Sequence, residues 1–209
     1  MLRLVLVVLF ASLSGPVLAQ TSQWSLQVGT LPEGWQIAGE GEDAPVWQVI
    51  NDNGTPVLAM TSQSDSGLFG LFGSGFNVIT NQSIRFLDGS ISVRFKAVSG
   101  NSDQGGGIMW RVQDDENYYV ARFNPLEDNF RFYTVKNGHR RELASASITL
   151  SAGWHKMTIT QTGNHFLGAL DDQPLLDHND DTFSKAGGVG LWTKADAVTY
   201  FTDLQVTPR

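Results

Sequence analysis

The chain contains no cysteine among its 209 residues. Disulfide staples, thiolate metal ligands and thiol catalysis are therefore excluded. Basic residues are also scarce, with 14 Lys and Arg against 21 Asp and Glu. That balance offers no positive field for a nucleic acid or an anionic membrane surface. Segments of helical period are nearly absent. Short runs of alternating apolar residues, ended by Gly, Asn and Asp, fill the chain instead. This is the pattern of an all-β sandwich or barrel. No Gly-x-Ser-x-Gly elbow or phosphate-binding loop occurs, and the Gly105-Gly106-Gly107 run opens a strand rather than a helix.

Long apolar runs are missing too, apart from Leu4 to Phe10. That run follows the positively charged start Met1-Leu2-Arg3 and precedes the small-residue site Val17-Leu18-Ala19. It is too short to span a bilayer and reads as a cleaved secretory signal peptide over residues 1–19. No cysteine follows the site, so a lipid anchor is excluded. A single β-sandwich domain is expected over 20–209, periplasmic or secreted, with no membrane insertion after the signal is removed. Loss of Arg3 leaves 13 basic residues against 21 acidic ones, a net charge of −8. Roughly 190 residues can bury about 70% of their unfolded surface, enough for a core without disulfides.

The alternation predicts about 13 strands, namely 47–51, 57–61, 76–80, 90–98, 107–113, 118–124, 129–136, 140–149, 154–162, 165–170, 174–178, 188–194 and 198–207. A helical turn is expected at Asp181–Ala186, and an edge strand plus loops before Val46. The Gly-rich apolar stretch at 64–75 is read as a loop tucking Phe69, Leu71 and Phe72 over the open end of the sandwich.

Side-chain alternation divides the central strands into two faces. Ile108, Trp110 and Val112, then Tyr119, Ala121 and Phe123, then Phe130, Phe132 and Thr134 form the expected core set. Asn137-Gly138 is the strongest hairpin signal, because both residues tolerate positive φ. It pairs Lys136 with His139, Tyr133 with Glu142 and Arg131 with Ala144. Pro125–Asp128 fits a four-residue loop that places Arg122 opposite Arg131. A four-residue loop at Asp114–Asn117 pairs Arg111 with Val120. The outer face is then Arg111, Gln113, Tyr118, Arg122, Asn124, Asn129, Arg131, Tyr133, Arg140 and Glu142. Like charges facing one another across a strand pair are destabilising, so the Arg122–Arg131 rung requires a counter-charge. Glu142, Glu127 and Asp128 are the candidates. Two readings stay open: an ion-pair lattice that only holds the sheet, or a ligand groove.

The motifs GGGIMWR, NYYVAR, NPLEDN, the Trp154-His155 strand start, DDTFSKAGGVGLWTKAD and FTDLQV resemble a family of secreted bacterial proteins. These have a laminin-G-like or concanavalin A-like jelly roll, commonly described as a 3-keto-disaccharide hydrolase domain. The resemblance runs from about Phe76 to Val206. It implies two packed antiparallel sheets, with ligands on the concave face or at the loop edge, and a carbohydrate partner. It also implies either a glycoside hydrolase or lyase of 3-keto-disaccharides, or a module that binds without catalysis. The chain departs from such folds at Asp171-Asp172-Gln173, where Asp-Gly is usual. It also lacks the Glu-x-Asp-x-x-Glu strand of laminarinase-type relatives.

A two-carboxylate glycosidase needs its carboxyl groups about 5–10 Å apart. Glu142 with Glu127 or Asp128 is the available pair, and His155 is a further candidate base. For a 3-keto sugar the ketone acidifies the adjacent carbon, so one base and one electrophilic group would suffice; His155, Arg122, Lys194 and Glu142 are of the right types. The ligand-binding set is Arg111, Tyr118, Arg122, Asn124, Arg131, Tyr133, Glu142, Trp192 and Lys194. Trp192 is expected to face outward as a sugar platform or as a rim residue over the core. No metal or other cofactor is expected. A minor reading is calcium at Asp177, Asn179 and Asp181, although the glycine and distal glutamate of an EF-hand are missing. The alternative to carbohydrate handling is a non-catalytic protein-interaction or structural envelope module.

Overall fold

The computed structural model describes residues 21–38, 45–62 and 75–209, the side chains of Gln23 and Ser62 aside. The expected signal peptide and the loop bearing Phe69, Leu71 and Phe72 lie outside the described residues. Among the described residues the regular elements are all strands: β1 (Ser22–Gln23), β2 (Trp35–Ile37), β3 (Val46–Asp52), β4 (Thr55–Ser62), β5 (Phe76–Phe86), β6 (Gly89–Ser99), β7 (Gly106–Asp114), β8 (Asn117–Asn124), β9 (Asn129–Lys136), β10 (His139–Ser147), β11 (His155–Thr162), β12 (His165–Leu170), β13 (Gln173–Asn179), β14 (Gly187–Lys194) and β15 (Val198–Pro208). The strands beyond the expected 13 are β1 and β2, both in the poorly patterned region before Val46. The helical turn expected at 181–186 is irregular chain.

Two antiparallel sheets form the jelly roll. One runs β13-β12-β11-β6-β15-β4-β3, with β1 added on β15. The other runs β10-β9-β8-β7-β14-β5-β2. Period-two alternation sends Ile91, Val93 and Phe95 of β6 and Met157 and Ile159 of β11 inward, against Ile108, Trp110, Tyr119, Ala121, Phe130 and Phe132 of the second sheet. Trp110 is the hub. Its ring stacks on Tyr119 at 5.4 Å and meets Phe132 and Phe166 edge-on at 5.8 and 5.6 Å. Its Nε1 donates to Gln161 Oε1 at 2.8 Å, so the one polar atom of this buried ring is satisfied. Gly168 on β12 makes room for the facing sheet: a Cβ there would lie 2.6 Å from Phe132 and 2.9 Å from Phe130.

The register follows the sequence at the second and third hairpins. Arg122 pairs with Arg131 and Asn124 with Asn129; Lys136 pairs with His139 and Tyr133 with Glu142. Asn137 and Gly138 both carry positive φ, at 50° and 73°. Two bulges correct the rest. The extra residue Leu143 shifts β10, so Arg131 faces Ser145 rather than Ala144. In the first hairpin Val120 faces Met109, not Arg111, and the register breaks between Trp110 and Asp114. Arg111 has φ 47° and is the bulged residue. It drops out of the outer face, and Val112 moves from the expected core set to the outer apolar cluster with Met109.

Gly168→Val should destabilise the fold by about 1–3 kcal/mol through overpacking against Phe130 and Phe132. Chemical denaturation measures this, and an unchanged midpoint would refute the close approach.

Candidate functional site

The outer face of the second sheet carries the predicted residues in rungs. One rung runs Trp192, Gly107, Arg122, Arg131, Ser145. Gly107 leaves the space beside Arg122 without a side chain; a Cβ there would lie 1.6 Å from the Ala121 carbonyl oxygen. The neighbouring rung on one side holds Asn124 and Asn129, and that on the other holds Met109, Val120, Tyr133 and Glu142. The face therefore grades from polar to apolar along the strands.

Arg122 is 2% exposed and donates from Nη2 to Asp103 Oδ1 at 2.8 Å. Asp103 is itself only 4% exposed. Asn124 Nδ2 donates to the same oxygen at 3.0 Å, and Lys194 approaches the other at 3.7 Å. Burial alone would lower the Arg122 pKa, but Asp103 and then Glu127 outweigh it and raise it. Arg131, partly exposed, donates to Glu127 at 3.2 Å, to Ser145 Oγ at 3.0 Å and to the Tyr133 hydroxyl at 3.4 Å, and pairs with Glu142 at 3.3 Å. The Asn129 Nδ2 bond to Glu127, 2.8 Å long, pulls that carboxyl down to about 2 from its ordinary 4.5, with Arg122 and Arg131 adding to the pull.

Three cations, Arg122, Arg131 and Lys194, thus meet three carboxylates, Asp103, Glu127 and Glu142. The counter-charge for the arginine rung is the protein's own. Asp103 was not among the sequence candidates. It lies in the loop before β7, and nothing in its spacing marks it. The loop is held by Asp196, which accepts the backbone N–H groups of Asn101, Ser102 and Asp103 at 2.7, 3.0 and 3.0 Å. These donors outweigh the burial penalty and keep the Asp196 carboxyl below its ordinary value. Two buried polar atoms in the lattice have no partner: Arg122 Nε, a donor, and Asn129 Oδ1, an acceptor.

Of the expected ligand-binding set, Arg122, Asn124, Arg131, Tyr133, Glu142 and Lys194 come together, and Glu127 joins them. Tyr118 and Trp192 lie on the same face but are fully buried, which corrects the exposed platform expected of Trp192. They belong to an apolar cluster with Val78, Met109, Val112, Val120, Tyr133 and Val135. The Arg140 guanidinium lies 4.5 Å from the Tyr133 ring centre and 5.8 Å from that of Trp192. Arg111 leaves the face altogether. It is buried at the rim, donating to the carbonyls of Leu87, Phe183 and Gly163 and pairing with Asp88, and so clamps the two sheets.

His155 sits on the other sheet, in β11. Its Nδ1 meets Asp171 at 2.6 Å and its Nε2 the Ser151 carbonyl oxygen at 2.8 Å. Both ring nitrogens are occupied, so it is not placed as a free base near the arginine rung. Asp177 pairs with His165 at 2.7 Å. Among the described residues no cluster of three or more His, Asp or Glu is close enough to hold a metal ion.

No protein-family model matches the chain, and no curated protein sequence matches it. Solved structures do. The carbohydrate-binding module CBM66 of Bacillus subtilis superposes with a TM-score of 0.65 at 22% identity, covering 82% of this chain and 93% of that one. The β-glucanase of Bacillus licheniformis gives 0.62 at 10% identity over 90% and 98%. The transglycosylase Crh5 gives 0.62 at 12% identity over 91% and 85%. These likenesses establish the concanavalin A-like jelly-roll fold.

Arg122→Ala or Asp103→Ala should each cost about 3–5 kcal/mol, because either leaves a buried charge unpaired. The joint replacement Arg122→Met with Asp103→Leu should cost clearly less than the two single changes together, as a double-mutant cycle by denaturation will read. Glu127 adds a pH dependence. Its folded pKa is depressed, so its stabilising contribution is complete above about 4.5 and fades as pH falls toward 2. Glu127→Gln should flatten that acid limb of the stability profile.

Proposed function

We propose that the outer face of the second sheet is a saccharide-binding surface of an exported protein, gripping a neutral sugar through the Arg122–Arg131 lattice. The carrying observation is the charge balance of that lattice. Three carboxylates already neutralise Arg122, Arg131 and Lys194, so a polyanion gains little from the lattice itself; Arg140, on the same face, lies over the rings of Tyr133, Phe76 and Trp192 instead. A sugar hydroxyl both donates and accepts, so it bonds to such a mixed array of N–H groups and carboxylate oxygens without breaking the pairs. The half-exposed Glu127 and Glu142 side chains and the partly exposed Arg131 fork offer further bonds at the rim. The fold shared with a carbohydrate-binding module and with glycan-cleaving enzymes agrees with this reading.

Binding without hydrolysis is favoured over a two-carboxylate mechanism. A carboxyl pulled down to about 2 stays ionised near neutral pH and, held by Asn129, Arg122 and Arg131, is a weak base, so Glu127 suits neither the acid nor the base role of such a mechanism. The finer reading, cleavage of a 3-keto-glycoside by elimination, escapes that requirement. Glu142 would take the proton from the carbon beside the ketone, Arg131 would face the ketone oxygen, and the departing alcohol would carry the proton away.

Arg131→Ala and Glu142→Ala are the informative variants, because surface pairs of this exposure contribute only about 0–1 kcal/mol to folding. On a glycan array each should lower neutral-saccharide binding by about tenfold while the melting temperature barely moves. Wild-type protein silent on every glycan would refute the reading and leave the protein-interaction alternative. Incubation with 3-keto-glucosides tests the finer reading: sugar release that disappears in Glu142→Gln supports it, and no release refutes it.

A further inference from the structure

The outer face of the first sheet holds a cleft that the arginine lattice does not explain. It measures about 380 Å³ and is lined by Asp52, Arg94, Lys96, Trp154, Thr202 and Asp203, with Asn53 and Thr55 at its edge. The volume falls within the range of small-ligand sites. Register builds it. On β6, Arg94 and Lys96 point outward, opposite to Phe95 of the core, and β15 sets Tyr200 beside Lys96 and Thr202 beside Arg94. Trp154 precedes β11, whose first residue pairs with Phe95. The indole thereby reaches Lys96 from one side, at 5.2 Å from Nζ to the ring centre, and Tyr200 reaches it from the other at 5.0 Å. Arg94 also lies over the indole, at 5.5 Å.

The charges are balanced here as well. Lys96 pairs with Asp52, and Arg94 with Asp203 at 3.6 Å. The second pair is about half exposed on both sides and does little for the fold. Its backbone is nonetheless specialised. Asp203 has φ 52°, and β15 breaks register between Thr202 and Gln205. This bulge re-aims the carboxylate at the cleft mouth. Asn53, on the facing β3–β4 turn, also has positive φ, at 52°. One half-buried indole, two self-neutralised ion pairs, hydroxyls and an amide thus converge on one surface cavity, with Tyr200 behind Lys96.

The geometry points to a second saccharide site in this cleft, with Trp154 as its platform and a neutral sugar unit as its ligand. It extends the saccharide reading of the arginine face to the opposite sheet and supplies the accessible aromatic surface which that face lacks, since Trp192 is buried there. A polyanion meets Asp52 and Asp203, and a polycation meets Arg94 and Lys96. A neutral polyhydroxylated ring meets donors and acceptors of both kinds, with an indole to cover its apolar C–H face. Sites on the two opposite faces allow a single protein to bridge two glycan strands.

The test is site-resolved fluorine NMR on the full-length protein with its six tryptophans replaced by 5-fluorotryptophan. Trp154→Phe identifies the Trp154 resonance. The probes are neutral hexasaccharides of the cello, laminari, malto and inulin types. At least one should shift that resonance saturably in wild type and equally in the Arg131→Ala, Glu142→Ala double variant. Trp154→Ala should weaken binding of that probe to the double variant by about tenfold or more. If no neutral probe moves the resonance, or if only a uronate or sulfated oligosaccharide does, the proposal is overturned. It is also overturned if the shift vanishes in the double variant, because the cleft is then not a separate site. Failure of the arginine-face reading looks different: the double variant then binds all probes as wild type does.

Discussion

The Arg122–Asp103 pair is the constraint on which the outer face of the second sheet depends. Both partners are almost wholly removed from water, and a buried charge without its partner is among the costliest defects a fold can carry. The pair places two otherwise independent pieces of chain under one requirement. Arg122 comes from the middle of β8, where alternation points it outward. Asp103 comes from the loop before β7, where Asp196 accepts three successive backbone N–H groups. The buried pair thus joins β8 to that loop, and Asp196 joins the loop to the β14–β15 turn. Arg131, one strand further out, is then free to take Glu127 and Glu142 at the surface. The sheet tolerates two arginines face to face because Glu127 bridges them, while Asp103 serves Arg122 and Glu142 serves Arg131.

Arg111 performs the opposite service. A residue in left-handed conformation inside a strand is uncommon, and here it turns one side chain out of the pleat. The guanidinium that would have added one more positive charge to the outer face is sent to the rim. There it collects the carbonyls of Leu87, Phe183 and Gly163 and ties the β5–β6 and β11–β12 turns to the second sheet. The same bulge brings Val112 onto the outer face and completes the apolar cluster around Trp192. One backbone irregularity thus sets both how the sheets are clamped and where the polar half of the face ends.

Much of this was legible from residue order. Alternation identified the inward residues of β8 and β9, and Asn137-Gly138 with Pro125–Asp128 registered three strands so that Arg122 met Arg131. What escaped was whatever the period-two pattern cannot encode. A bulge adds or removes a residue without any signature in side-chain chemistry, so alternation places Arg111 opposite Val120 and Ala144 opposite Arg131 as if the ladder ran unbroken. Exposure escaped as well. Alternation places Trp192 on the outer side of β14 correctly, but an outward direction is not contact with water. The partners Asp103 and Asp196 were invisible because their roles arise from loops that meet only after the sheets have closed.

The two outer faces solve the same electrostatic problem in the same way. Each presents cations that carboxylates of the same chain largely neutralise before any ligand arrives, Arg140 being set over aromatic rings instead. An ion-pair array of this kind is a poor receptor for a charged polymer, because the incoming charge must displace a partner already in place. It is a good receptor for a neutral polar ligand, whose hydroxyls bond to the unused lone pairs and N–H groups without breaking the pairs. The faces differ in their aromatic groups. On the arginine face the aromatics are sealed beneath Arg140; on the other, Trp154 and Tyr200 stay half open beside Lys96. On the proposed reading, the arginine face would act by directional hydrogen bonding and the Trp154 face by stacking, two complementary ways of holding one class of neutral, hydroxyl-rich ligand.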